Sequence, residues 1–381
     1  MGSCGLQFLQ VTRYNLPITR HMKTLLKNPL NYLLVFVPIA FIAEMGHAAP
    51  AMIFITAALA VIPLSGLMGD ATEELAARTG PRVGGLINAT LGNAAELIIT
   101  TLATSAGLME LVRASIIGSI IGNILLVLGA SILFGGLKHG TQKFSVAHAG
   151  LTGTVLIMAA VALAVPALFS AAIEPNVVAV EKLNLLTAGV ILGVYVLYLV
   201  YTLRSKSTHE VLEREAAHAP HMSVRAAIVM LVVATALIAL MSEFLVGSVE
   251  PMTAQLGISE FFVGIILVPI IGNIAEHVVA IEVALKNQME LSLGISLGSS
   301  IQIALLVAPL LVFISLLMGH PLTLEFNNFE LIALLGSCVI AALVSIDGRS
   351  NWFEGALLLA LYLILAIAFF FLPTGTMAMA H

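Results

Sequence analysis

Eleven apolar stretches, separated by short polar segments, follow one another along this chain of 381 residues. Each is close to the roughly 20 apolar residues that a helix needs to cross about 30 Å of hydrocarbon. They cover residues 30–46, 51–76, 82–107, 111–137, 144–172, 183–203, 224–247, 259–285, 289–319, 328–346 and 352–373. Only 10% of the residues are charged, whereas soluble globular domains carry about 25%. The predicted fold class is an all-α polytopic membrane protein with about eleven transmembrane helices.

The positive charges of the chain concentrate on one side of these stretches. With the N-terminus in the cytoplasm, 14 of the 16 Lys and Arg residues fall in cytoplasmic segments, and only Arg113 and Lys182 fall outside. Cytoplasmic loops of membrane proteins are enriched in Lys and Arg. We therefore predict a cytoplasmic N-terminus and an external C-terminus. Since no organellar targeting signal is recognisable, a bacterial cytoplasmic membrane is the predicted location.

One sequence motif occurs twice in the apolar part of the chain. Gly92-Asn93-Ala94-Ala95-Glu96 recurs as Gly272-Asn273-Ile274-Ala275-Glu276, 180 residues later. Sliding residues 84–127 onto 264–307 without a gap matches 14 of 44 positions, against about four expected from such a biased composition. The second copy lies five spans after the first, with four predicted spans between them, so the two copies cross the membrane in opposite directions. This is the inverted-repeat plan of secondary transporters, which bind their substrate near the midplane.

The repeat divides the chain into a leading helix followed by two groups of five spans. The predicted segments are a cytoplasmic tail 1–29, a leading helix 30–50, a first repeat 51–203, a linker 204–222, a second repeat 223–373 and an external tail 374–381. The linker contains three glutamates and the histidines His209, His218 and His221. A solvated tether explains it, and a cation- or pH-sensing element is the alternative.

The repeated motif carries the chemistry that a cation site needs. Asn93 and Glu96 are three residues apart, as are Asn273 and Glu276, so on a helix each pair shares a face. The glycine that precedes each asparagine weakens the helix where backbone carbonyls would be useful as ligands. Carboxylate, amide and carbonyl oxygens are the ligands of a hard cation such as Ca²⁺. A glutamate kept only as interhelical glue is the alternative, but two at matched positions favour ion binding.

Further polar residues on the flanking helices are candidate ligands. They are Ser119 and Asn123 in the first half, Ser299 and Gln302 in the second, and His277 beside the second glutamate. Hydroxyls in membrane helices often serve only helix packing, so the serines are open to both interpretations. Asn123 and Gln302 are costlier to bury unpaired and are the better ligand candidates.

Acidic residues also lie away from the motif. Asp70, Glu73 and Glu74 crowd the predicted cytoplasmic end of the second span. A solvated helix end is the simpler interpretation, and an acidic vestibule that concentrates cations is the alternative. Glu243 is a candidate proton or gating residue.

Catalytic motifs are missing from the sequence. It contains neither a His-Glu-x-x-His zinc motif nor a Gly-x-Ser-x-Gly nucleophile motif. We predict no enzymatic activity, no cofactor and no nucleic-acid partner. The only predicted metal is a transported Ca²⁺ at Glu96 and Glu276.

The two motifs, the span plan and the polar linker resemble the cation/proton exchanger family, the Ca²⁺/H⁺ antiporters of the calcium/cation antiporter superfamily. The resemblance implies that Glu96 and Glu276 are the central cation ligands, and that Asn273, Ser299 and Gln302 line the same site. The related sodium/calcium exchangers have a different repeat motif, which disfavours coupling to Na⁺. The linker is mixed in charge and departs from the strongly acidic block of the family.

The resemblance and the paired carboxylates together predict exchange of Ca²⁺ for H⁺ across the bilayer. Ca²⁺ and H⁺ are the predicted substrates and lipid is the surrounding partner, while formation of a homo-oligomer is left open. Exchange of Na⁺ or K⁺ for H⁺ is one alternative, and a broader divalent exchanger that accepts Mn²⁺ is another. A non-transporting scaffold would leave the matched glutamates unexplained.

Overall fold

The chain is described by a computed structural model that covers residues 28–173, 176–204 and 222–372. Within these residues nine helices are long and apolar enough to cross a membrane. They are Pro50–Thr79, Met109–His139, Val146–Ser170, Val177–Arg204, Val224–Leu256, Glu260–Leu285, Met289–Leu317, Asn328–Ser345 and Trp352–Phe370. Two shorter apolar helices, Pro29–Met45 and Ala94–Ser105, correspond to the remaining predicted stretches. The prediction of an all-α multi-pass membrane protein is confirmed.

Several of these spans consist of more than one helical element. The elements are a 3₁₀ turn Pro29–Val35, α1 Phe36–Met45, α2 Pro50–Leu91, α3 Ala94–Ser105, α4 Met109–Ile121, α5 Leu128–His139, α6 Val146–Ile173, α7 Val177–Arg204, α8 Val224–Leu256, α9 Glu260–Phe262, α10 Val268–Leu285, α11 Met289–Gln302, α12 Ala308–Leu317, α13 Asn328–Ser345 and α14 Trp352–Phe370. Strands β1 Gln142–Lys143 and β2 Arg349–Ser350 form an antiparallel ribbon.

Helix α2 is continuous through the polar segment that was predicted to separate the second and third stretches. A Cβ atom added to Gly84 would lie only 2.5 Å from the carbonyl oxygen of Ala76. In a straight helix residues eight positions apart are about 12 Å apart along the axis. The helix must therefore bend sharply between them, where the sequence contains Gly80 and Pro81, and proline is a usual cause of kinks.

The helices that carry the two glutamates run in opposite directions. Three residues separate the end of α3 from the start of α4, so these two helix ends lie at the same face of the protein. The far end of that span meets the end of α10, because Lys138 Nζ donates to Leu285 O at 2.9 Å. Helices α3 and α10 therefore finish at opposite faces.

Three π-helical turns interrupt the central spans. They are Gly122–Val127, Val263–Leu267 and Ile303–Val307. The first and third occupy matching places in the sequence repeat, whereas the second has its counterpart within the bent α2. The turns join the helices that pack tightly around the glutamates, and π-helical turns often occur at functional sites.

A close backbone contact joins the two central spans. A Cβ atom added to Gly118 would lie 2.1 Å from Ile265 O, and one added to Gly264 would lie 2.7 Å from Leu111 O. Pro269 has no N–H to donate to Ile265 O in the regular helical pattern. The glycines let the spans approach closely, as small residues do in membrane helix packing.

Candidate functional site

Glu96 lies in the first turn of α3, immediately after a break in the helical path. Gly92 ends α2, and Asn93 takes a non-helical ψ of 21° before α3 begins. The Glu96 side chain is 1% exposed, and its Oε1 accepts a hydrogen bond from Ser119 Oγ. Its Oε2 has no protein partner among the described residues. A buried carboxylate oxygen in that condition is costly unless a proton or a cation satisfies it.

Glu276 lies in the middle of α10 and is half-buried. Its Oε2 accepts a hydrogen bond from Ser299 Oγ at 2.6 Å. Ser299 follows Glu276 by 23 residues, as Ser119 follows Glu96. The two halves of the sequence therefore build the same glutamate–serine pair.

Polar contacts across the halves bring the two pairs together. Asn93 Nδ2 donates to Gln302 Oε1 at 2.7 Å. Asn273 Nδ2 is 3.2 Å from Pro269 O and 3.5 Å from Ser119 Oγ, the hydroxyl that also contacts the first glutamate. The carboxylate of Glu276 lies beside Gly92, since a Cβ added there would be 3.4 Å from its Oε1. Residues predicted from both halves thus form one cluster.

The chemistry of this cluster suits a hard cation. Its side chains offer carboxylate, amide and hydroxyl oxygens, and Asn93 Oδ1 is buried without a protein partner in the part of the chain described. Oxygen ligands of this kind favour Ca²⁺ over soft metals. In residues 28–173, 176–204 and 222–372 no group of three or more His, Cys, Asp or Glu side chains could hold a metal ion. Two carboxylates with neutral oxygens are the set available.

The two copies of the motif differ in backbone structure. The glycine was expected to weaken the helix in both copies. At Gly92 the helix does end, but at Gly272 that expectation is wrong, because α10 continues without interruption. A Cβ added to Gly272 would lie 3.9 Å from Glu96 Cβ, so this glycine instead lies against the other glutamate's helix. The site is paired but asymmetric.

This asymmetry predicts different effects for two alanine substitutions. In Gly92→Ala the new methyl group would be 2.9 Å from Asn88 O and 3.4 Å from Glu276 Oε1, so we expect about a tenfold rise in the apparent KM for the cation, as for a strained core substitution. Gly272→Ala makes only contacts of 3.8 Å or more and should stay within about twofold of wild type. Ion uptake by reconstituted vesicles measures both. Equal effects of the two variants would contradict the asymmetry.

Two predicted ligands are buried without a hydrogen bond to the glutamates in the described structure. Asn123 lies in the π-helical turn Gly122–Val127, and its Nδ2 has no partner among the described residues. His277 is 8% exposed on α10 and forms no hydrogen bond to either carboxylate in the described structure. Both remain predictions, and neither belongs to the hydrogen-bonded cluster.

The acidic group on α2 divides into two kinds of residue. Glu73 is exposed and lies close enough to Glu276 for their charges to interact. Glu74 Oε2 instead accepts a hydrogen bond from Met222 N at 3.2 Å, and Arg78 donates to the carbonyl of the same residue. Asp70 interacts with Glu74 through its charge. Of the three predicted vestibule residues, Glu73 is therefore the one that approaches the site.

Glu243, the predicted gating residue, is exposed on α8. Nothing in the described structure joins it to the cluster. Its role stays a prediction.

Sequence reasoning identified the members of the cluster but missed some of their contacts. It did not anticipate that Asn93 bonds to Gln302 or that Glu276 lies against Gly92. The sequence repeat could have indicated that helices from the two halves lie close together, because small residues at matched positions allow helices to approach closely. The hydrogen bond between Glu74 and Met222 could not be predicted from the sequence, since it depends on where α2 contacts the start of α8.

Comparison with known proteins gives the family. The family model described as sodium/calcium exchanger protein matches residues 49–204 and 226–371. A Ca(2+)/H(+) antiporter of Aphanothece halophytica is 42% identical over 361 residues, which cover 90% of this chain and 96% of the relative. The Ca(2+)/H(+) antiporter ChaA of Bacillus subtilis is 40% identical over 344 residues, covering 88% and 97%.

Solved structures agree with this assignment. The structure of native YfkE matches with a TM-score of 0.79 at 37% identity, covering 91% of this chain and 100% of that one. The H⁺/Ca²⁺ exchanger CAX matches with a TM-score of 0.68 at 17% identity, covering 90% and 91%, and this likeness shows the fold alone. The resemblance inferred from the motifs is confirmed. The chain belongs to the sodium/calcium exchanger protein family, and within it groups with the Ca²⁺/H⁺ antiporters.

Proposed function

We propose that this protein exchanges Ca²⁺ for H⁺ across a membrane, using Glu96 and Glu276 as the shared binding site. The main support is that each half of the chain places one of these glutamates against a serine of the following span. The curated relatives carry the name Ca(2+)/H(+) antiporter. Both substrates are positive, and both can neutralise a carboxylate pair in a low-dielectric site.

The coupling follows from the cost of charge in the membrane. Leaving an ionised carboxylate at mid-bilayer costs a few kcal/mol or more, and the charges of Glu96 and Glu276 repel each other. One Ca²⁺ neutralises both, as do two protons. Only the neutralised site can reorient cheaply between the two faces. Because an empty, doubly charged site does not reorient, transport of Ca²⁺ in one direction is coupled to transport of H⁺ in the other.

Transport proceeds by alternating access. A leading helix is followed by two inverted groups of five helices, and these two groups move relative to each other. The sequence repeat supports this plan, as do the opposite directions of α3 and α10. We assign residues 51–203 to the first group and 223–373 to the second. Inverted repeats of secondary transporters exchange their conformations around a site at their interface.

Cations enter from the cytoplasmic side, past Glu73. The half-buried Glu276 is more exposed than Glu96, and its charge interacts with that of the exposed Glu73. A negative charge at this position raises the local cation concentration. Export of Ca²⁺ from a bacterial cytoplasm, driven by inward proton flow, is the proposed direction.

Flux measurements with several ions test this function. In proteoliposomes reconstituted with the purified protein, addition of Ca²⁺ should dissipate an imposed ΔpH. Addition of Na⁺ or K⁺ should not, because a single monovalent charge leaves one carboxylate of the pair ionised. Mn²⁺, another hard divalent ion, is offered in the same series to define the breadth of selectivity. Protein-free vesicles are the control. Dissipation by Na⁺ or K⁺ without a response to Ca²⁺ would overturn the proposal.

A further inference from the structure

The ribbon formed by β1 and β2 presents two cations side by side. Gln142 pairs with Ser350, and Lys143 pairs with Arg349 directly across the strands. Successive side chains of a strand point to opposite faces. Accordingly Gln142 and Ser350 are buried, whereas Lys143 and Arg349 are exposed. The outer face of the ribbon is therefore a pair of positive charges.

The described residues provide no direct ion-pair partner for these two cations. Like charges directly opposite each other destabilise an antiparallel pair. Neither side chain forms an ion pair or hydrogen bond within residues 28–173, 176–204 and 222–372. The carboxylates next along the chain are already engaged with backbone N–H groups: Asp347 Oδ1 with Arg349 N at 3.0 Å, and Glu354 Oε2 with Asn351 N at 3.1 Å.

The buried side of the ribbon fixes it firmly in place. Gln142 Nε2 donates to Ala284 O and to Asn287 Oδ1, both at 3.0 Å. Phe144 N donates to Gly348 O at 3.0 Å. The two cations are thus held together by the fold at the end of α10 and cannot simply separate.

The ribbon also directly precedes a candidate membrane span, Trp352–Phe370. Trp352 and Phe353 begin the apolar helix α14 only two residues after β2 and are 49% and 55% exposed. Tryptophan side chains at the end of a span typically lie at the level of the lipid headgroups. Lys138, on the neighbouring helix α5, adds a third positive charge at this end of the bundle.

We propose that the Lys143–Arg349 ribbon binds the headgroup of an anionic phospholipid. The phosphate and its neighbouring negative group accept hydrogen bonds from the ammonium and guanidinium groups, and Trp352 and Phe353 contact the start of the acyl chains. Charge-assisted bonds to phosphate are among the strong hydrogen bonds of proteins. Anionic lipids of the cytoplasmic leaflet attract basic residues next to spans, and this ribbon lies on the predicted cytoplasmic side.

Trp352, the single tryptophan of the chain, allows a direct test. The full-length protein is placed in nanodiscs that contain a minor fraction of brominated phosphatidylglycerol or, at the same fraction, brominated phosphatidylcholine. Bromine quenches nearby tryptophan fluorescence. We expect the anionic lipid to quench more strongly in wild type, and this preference should weaken with added salt because screening weakens interactions between exposed charges.

The variants assign the preference to the ribbon. Lys143→Gln/Arg349→Gln should lower the preference for phosphatidylglycerol by about thirtyfold, on the usual strength of two basic residues near an anionic surface. The matched control Arg204→Gln/Arg225→Gln removes two exposed charges elsewhere on the same predicted face and should leave it unchanged.

A second variant guards against a folding defect. Lys143→Glu puts opposite charges across the ribbon, which favours strand pairing, yet it should also abolish the preference. Equal quenching by the two lipids in wild type would overturn the proposal, as would an unchanged preference in either ribbon variant. The readout is independent of ion transport, so its failure is distinct from failure of the proposed function.

Discussion

Replacement of either Glu96 or Glu276 by glutamine is expected to reduce ΔpH-driven ⁴⁵Ca²⁺ uptake to background. We expect a loss of at least about 100-fold, because the bound Ca²⁺ would be a buried charge that lacks one of its two carboxylate partners. Glutamine keeps the shape and one hydrogen-bonding oxygen but cannot carry a negative charge or a transported proton. One remaining carboxylate cannot neutralise Ca²⁺. Uptake into proteoliposomes of matched protein content measures the loss.

Glu282→Gln is the matched control for this prediction. Glu282 is on the same helix as Glu276, but its side chain is 59% exposed and is 3.6 Å from Lys286 Nζ. An exposed ion pair of this kind contributes little to stability, so uptake should remain near the wild-type rate. Near-normal uptake by Glu96→Gln or Glu276→Gln would show that the pair is not the transport site.

Gly118→Ala is expected to destabilise the folded protein severely. Its methyl group would lie 2.1 Å from Ile265 O and 2.6 Å from the carbonyl carbon of that residue. Backbone atoms cannot move aside as a flexible side chain can, so the helices must separate. Overpacking of a tight core usually costs about 1–3 kcal/mol. The apparent melting temperature in a mild detergent should fall by several degrees.

The repeat supplies the control, because Gly298 is the counterpart of Gly118 in the second half. Apart from its chain neighbours and the backbone of its own helix, no heavy atom of the described residues lies within 4 Å of a Cβ added to Gly298. Gly298→Ala should therefore leave the melting temperature within about a degree, since alanine is also the better helix former. If both variants melted alike, the close contact between the central spans would be incorrect.

Spacing in the sequence was sufficient to predict the polar side chains that form the hydrogen-bonded cluster of the candidate site. A carboxylate in an apolar span is so costly that its presence signals a function, and a second copy 180 residues later makes the pair recognisable. The contact between Asn93 and Gln302 was beyond the sequence, because it depends on how helices from different halves pack. The same holds for the ribbon, whose register brings Lys143 opposite Arg349.

Hydropathy located the spans better than it described their backbone. It predicted an interruption between the second and third stretches, where the structure shows a bend within α2 rather than a loop. It could not distinguish Gly92 from Gly272, although only the first ends a helix. Both glycines stand in the same Gly-Asn-x-Ala-Glu motif, but residues 88–91 before the first differ from residues 268–271 before the second. The motif alone therefore does not determine whether the helix ends.

The central claim is that one Ca²⁺ or two protons neutralise the same pair of glutamates, and the exchange stoichiometry tests it most directly. In proteoliposomes with imposed Ca²⁺ and proton gradients, net flux should vanish when about a tenfold proton gradient opposes about a hundredfold Ca²⁺ gradient. This balance point should not move with membrane potential, because such an exchange carries no net charge through the field. A balance point that shifts with potential, or that corresponds to another proton number, would contradict the account.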